Sequence, residues 1–67
     1  MNRDFDYEYE LLCFKVDTMN ERVVKGKIMP IDYILDQECV PKKKRIKMLN
    51  DMIIYLSNEI YSQQKRA

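Results

Sequence analysis

Histidine and tryptophan are absent from these 67 residues, glycine occurs once, and proline and cysteine occur twice each. Without histidine the chain lacks the commonest general acid–base and a common metal ligand. The two cysteines, Cys13 and Cys39, form no CxxC pair, and no metal-ligand spacing can be built from them. Each is flanked by apolar residues, so each is expected to be a reduced, buried small hydrophobe, a single disulfide being the alternative. A lone glycine, Gly26, excludes a glycine-rich phosphate loop. No apolar run reaches the length of a membrane span, so no contact with a membrane is expected. The acidic start Met1-Asn2-Arg3-Asp4-Phe5-Asp6 lacks the apolar core of a secretion signal. We therefore expect a soluble, cytoplasmic protein.

The carboxylate pairs Asp32 with Asp36 and Glu8 with Glu10 have the spacing of ordinary solvated surface. No catalytic residue, cofactor or metal is predicted, and the chain reads as a non-enzyme. A chain this short is a single domain that buries only about 60% of its unfolded surface. Small proteins usually add a disulfide, a metal or a second subunit to compensate. With the first two disfavoured, a homodimer is the expected solution.

What is present begins with the stretch from Pro41 to Gln64. Ile46, Leu49, Ile53, Leu56 and Ile60 recur at alternating spacings of three and four, the seam of an α-helix burying one face. Apolar residues continue beyond the seam. Met48, Met52 and Tyr55 flank it on one side, with Ile54 and Tyr61 on the other. These five are the candidate apolar partner-binding residues, because contiguous exposed apolar surface marks contacts.

Residues 4 to 25 admit two readings. Phe5, Tyr7, Tyr9 and Leu11 alternate with Asp6, Glu8 and Glu10, a strand pattern. Over the longer window the helical projection fits better: Phe5, Tyr9, Leu12, Cys13, Val16, Met19 and Val23 share a sector about 120° wide that holds no charge. Arg22 and Lys25 in the last turn and Gly26 as a left-handed cap complete a helix. A second, short helix is expected from Pro30, with Ile31, Ile34 and Leu35 inward and Asp32, Asp36 and Glu38 in water. Pro41 disfavours helix at Val40 and so separates the second helix from the third.

The fold class is thus all-α: a helical hairpin of two long helices with a short connecting helix, dimerising into a bundle. The alternative is α+β, an N-terminal β-hairpin followed by two helices. In the antiparallel hairpin, Arg22, Lys25 and Lys27 would join Lys42, Lys43, Lys44, Arg45 and Lys47 at one pole. Cations at a helix start oppose the dipole, and an anion relieves that conflict. These eight residues are therefore the candidate sites for an anion or an acidic partner. The bland reading is a solvated run neutralised by Asp32, Asp36 and Glu38. Pro41-Lys42-Lys43-Lys44-Arg45 also resembles the monopartite nuclear import signal over its five residues.

Two functions follow. The first is a small regulatory protein that binds another protein as inhibitor or adaptor, of a size that suits a bacteriophage or mobile element. The alternative is a dimeric nucleic-acid-binding regulator that uses the basic residues around 42–47. No aromatic interleaves that run and no recognition helix is evident.

Overall fold

A computed structural model describes the backbone of residues 2–66 and the side chains of residues 6–65. Three helices follow in order: α1 (Asn2–Val24), α2 (Ile31–Gln37) and α3 (Lys42–Arg66). The β-hairpin alternative is thereby set aside, and the long, short, long pattern stands. Pro30 and Pro41 each immediately precede a helix, and the Pro30 carbonyl accepts the Ile34 amide at 3.2 Å. Neither ring removes a hydrogen bond that its helix needs.

The long helices do not form an antiparallel hairpin. Near the beginning of each, Arg45 Nη1 donates to Tyr9 Oη at 2.8 Å. Near the end of each, Gln63 Nε2 donates to the Val23 carbonyl at 3.2 Å. Start lies beside start and end beside end, so α1 and α3 run parallel. Residues 25–41 bring the chain back along α1, with α2 packed mainly on that helix. Burial of the seam explains why periodicity left direction open, since an apolar stripe meets its partner equally well from either sense.

The core is small. Cys13, Val16, Ile31, Leu35, Leu49 and Leu56 are buried, with Tyr9, Leu12, Met19, Val23, Ile34, Val40, Met52 and Ile53 packed around them. The inward sector of α1 is as its periodicity predicts, except that the Phe5 side chain lies outside the described residues. On α3 the leucines of the seam are buried and Ile46, Ile53 and Ile60 are half-buried. Ile31 and Leu35 hold α2 to this core, while its first free amide, Ile31 N–H, donates to Asp17 Oδ1 of α1 at 2.8 Å. A carboxylate from another helix thus does the work that a local cap would do.

Both helix ends before α3 use an unexpected residue. Gly26 was the predicted left-handed cap of α1, but Lys25 takes that conformation, with φ 60°, and no glycine has positive φ. The Gly26 amide then reaches back to the Glu21 carbonyl at 3.2 Å, which closes a Schellman turn one position earlier than expected. At the end of α2, Cys39 has φ 56°. Its amide bonds to Asp36 O and that of Val40 to Leu35 O, both at 3.1 Å, a second Schellman turn. Cys39 is therefore exposed rather than buried as its neighbours suggested, while Cys13 is buried, and both thiols are free.

A left-handed L-residue costs about 1–2 kcal/mol and glycine almost nothing there, less the ~0.5–1 kcal/mol that glycine loses in chain entropy. Lys25→Gly and Cys39→Gly are each expected to stabilise the fold by roughly 0.5–1 kcal/mol. Gly26→Ala should be tolerated, because an added Cβ meets nothing within 4 Å. Thermal melts of the three variants at one protein concentration check this; a destabilising Lys25→Gly would refute the assignment of the cap.

Candidate functional site

The parallel arrangement divides the predicted basic pole. Arg22, Lys25 and Lys27 are exposed at the far end of α1, near the end of α3. Lys42, Lys43, Lys44 and Lys47 are exposed at the start of α3, beside the acidic beginning of α1. Lys42 lines a cleft of about 440 Å³ with Asp6, Glu10 and Asp32, and Lys47 Nζ pairs with Asp51 at 3.1 Å. Two groups of cations therefore stand at opposite ends of a body 44 Å long. Only an antiparallel pairing would have merged them.

Arg45 corrects the expectation most sharply. It is 6% exposed and faces inward, the fourth residue of α3 on the same side as Leu49 and Leu56. Its Nε donates to the Val40 carbonyl at 2.8 Å and its Nη2 to the Leu35 carbonyl at 3.4 Å. Nη1 meets Asp36 Oδ1 at 2.8 Å and lies 3.8 Å from Asp32 Oδ1. The guanidinium also sits 5.8 Å from the Tyr9 ring centroid, and the Tyr9 hydroxyl donates onward to Asp32 Oδ1. One fork thus joins all three helices, occupying the Leu35 carbonyl in the last turn of α2, where positive charge is favoured by the dipole, and the Val40 carbonyl in the link beyond it.

The electrostatics of this cluster follow from its hydrogen bonds at Arg45 and from burial at Tyr9 and Cys13. The hydrogen bond to Tyr9, then that to Asp36, hold the Arg45 guanidinium above its ordinary range. Burial raises the Tyr9 hydroxyl above the usual tyrosine range, and its bond to Asp32 raises it further. Burial likewise pushes the Cys13 thiol up, the opposite of what an activated nucleophile needs. Among the described residues no three potential metal ligands converge, and no buried side-chain polar atom lacks a hydrogen bond. The Tyr9–Asp32–Asp36–Arg45 cluster is thus a satisfied structural network. Asp32 and Asp36 were expected to face water, and they do, while also neutralising Arg45. The import-signal resemblance loses its last residue to the interior, and its lysines lie on a helix rather than an extended strand.

The five apolar candidates on α3 fare differently. Ile54 is 62% exposed, Tyr55 64% and Tyr61 59%. Met48 borders on exposed, and Met52 is half-buried against the core. Ile54 and Tyr61 are seven residues apart, two turns, and share the face opposite Leu49 and Leu56. Lys65 Nζ lies 5.2 Å from the Tyr61 ring centroid, so the ring is flanked by charge at the helix end.

A second apolar stripe escaped the sequence reading altogether. Tyr7, Leu11 and Phe14 on α1 are all exposed, Phe14 the most at 71%. With Thr18 they recur at four, three and four, on the side of α1 opposite Cys13 and Val16. That spacing was the available signal; the alternation of Tyr7 and Leu11 with acidic residues disguised it as a strand. The stripe borders an open, almost wholly apolar groove of about 580 Å³ that includes Leu12 and Met19.

The resulting body is thin and extended. Its radius of gyration is 12.9 Å, against about 11 Å for a compact chain of this length. Its accessible surface is 5497 Å², whereas a compact protein of this mass exposes about 4,500 Å². Among the described residues no helix is long and apolar enough to cross a membrane. Compared with protein-family models, with curated proteins and with solved structures, the chain matches none.

Proposed function

We propose that this chain is a small non-enzymatic regulatory protein of the cytoplasm that docks on another protein, as inhibitor or adaptor. The observation that carries this reading is the outer face of α3, where Ile54, Tyr55 and Tyr61 stand in water on a rigid helix. Tyrosine and methionine are enriched at protein interfaces, and a few such anchors dominate affinity. Lys43 and Lys44 remain exposed at the other end of the same helix, suited to orienting an acidic partner. Arg45, whose donors are held within the domain, has no part in it.

The test is affinity capture from a lysate of the host with nuclease treatment. Ile54→Lys and Tyr61→Ala should each reduce capture of a protein partner about tenfold or more, as loss of an interface anchor does. Lys43→Glu should reduce it less and make it less salt-dependent. Capture unchanged in all three would place the docking surface elsewhere. Retention that vanishes with nuclease would instead support a nucleic-acid partner, met by Lys42, Lys43, Lys44 and Lys47, which remain exposed together at the start of α3.

A further inference from the structure

The outer face of α1 is independent of the α3 face, and its charge pattern says what covers it. With Tyr7 and Phe14 at the d positions of a heptad, Leu11 and Thr18 fall at a, Glu8, Lys15 and Arg22 at e, and Glu10 and Asp17 at g. Among the described side chains Glu10 and Asp17 make the g edge acidic and the e edge carries both signs, while Glu21 at the next d position ends the apolar seam after Thr18. In a parallel two-stranded pairing each g residue faces the e residue five positions later on the other chain. Glu10 then faces Lys15 of a second copy and Asp17 faces Arg22, so each of these pairs is opposite in charge. An antiparallel pairing would set the acidic g edge against itself.

We propose that a second copy of this chain packs on this face, α1 against α1 in parallel about a two-fold axis, over Tyr7, Leu11, Phe14 and Thr18. The chain as a whole exposes roughly 1,000 Å² more than a compact protein of its mass, more than the about 800 Å² a standard interface takes from each partner, and Tyr7, Leu11 and Phe14 are part of that exposed surface. Among the described residues α2 and α3 pack on the other side of α1, over Cys13 and Val16, and Asp17 stands at the edge between the two sides, bonded to Ile31 of α2. Asp17 keeps its bond to Ile31 in the pair, because a carboxylate accepts several donors.

Sedimentation of the full chain is expected to give a dimer mass at roughly 100 µM and dissociation on dilution. Phe14→Glu should weaken association about tenfold or more, with the helical circular dichroism unchanged, because this side chain is already in water. Ile54→Glu, on the other helix, should leave the mass unchanged. Glu10→Lys should weaken the dimer, and adding Lys15→Glu should restore it. In a Cys39→Ala background, Thr18→Cys should oxidise to a linked dimer, since identical a residues meet across a parallel axis. A strict monomer at that concentration overturns the proposal, as does a dimer indifferent to Phe14→Glu. A dimer lost with Ile54→Glu places the contact on α3. Failure of Thr18→Cys to link overturns the parallel sense.

Discussion

Leu49→Ala is expected to leave most of the chain unfolded near 37 °C. Leu49 is fully buried, at the level where α1, α2 and α3 come together. Its truncation removes transfer energy and opens a cavity, typically about 2–5 kcal/mol for leucine. A chain of this length holds only ~3–10 kcal/mol in all. Just six apolar side chains are buried among the described residues, so neighbouring contacts have little to offer in place of the lost one. Urea titration at fixed protein concentration should show a much lower midpoint with the slope retained. The control is Ile54→Ala, on the exposed face, whose cost should stay within about 0.5 kcal/mol. Similar costs for the two would mean that the core has been assigned to the wrong face of α3.

Arg45→Met is the second large effect, and it reaches all three helices at once. The methionine keeps most of the apolar stem but leaves the Leu35 and Val40 carbonyls, Asp36 and the Tyr9 hydroxyl without their shared donor. The Leu35 carbonyl keeps the Val40 amide, Tyr9 keeps Asp32 and Asp36 faces water, so the cost is the lost charge-assisted bonds that tie the three helices together and the part-buried Val40 carbonyl left without this donor. We expect the melting midpoint to fall on the order of 10 °C, a shift that a domain of this size shows for a modest loss of stability. Arg45→Lys should recover only a small part, because an ammonium cannot span two carbonyls, a hydroxyl and a carboxylate from one planar fork. Full rescue by lysine would show that charge alone matters.

The same cluster sets an alkaline limit. Burial and Asp32 raise the Tyr9 hydroxyl above its ordinary range, so above about pH 10 the unfolded chain releases a proton that the folded one keeps. Fewer protons on the unfolded state mean that stability falls as pH rises. The contribution is complete below about pH 10 and is lost progressively above it. Tyr9→Phe should flatten that part of the stability profile; an unaltered alkaline slope would show that Tyr9 ionises as it does in water.

Much of this fold is legible in local pattern. The seam of α3, the inward sector of α1, the turns before Ile31 and Lys42 and the inward side of α2 all follow from spacings of three and four and from two prolines. Such features depend on residues within a turn or two of each other, and helical geometry alone relates them. The exposure of Ile54, Tyr55 and Tyr61 was readable for the same reason, since more apolar surface lay on α3 than one buried face can use.

The candidate site itself was not readable in full. Arg45 looked like one of a run of cations, and the local signal, its place one turn before Leu49 on the side that Lys43 and Lys44 do not share, was outweighed by its charge. Its position over Leu35 and Tyr9 makes it an interior residue. Likewise Lys25 rather than Gly26 adopts the left-handed conformation that closes α1. Periodicity therefore determined three helices and the faces they bury. The tertiary structure alone decided that the long helices run in the same direction, that the cations divide between two ends, and that one arginine is enclosed. An amphipathic helix specifies which side is covered but carries no sign of its partner's direction, and that direction comes from where the returning segment can satisfy its own ends.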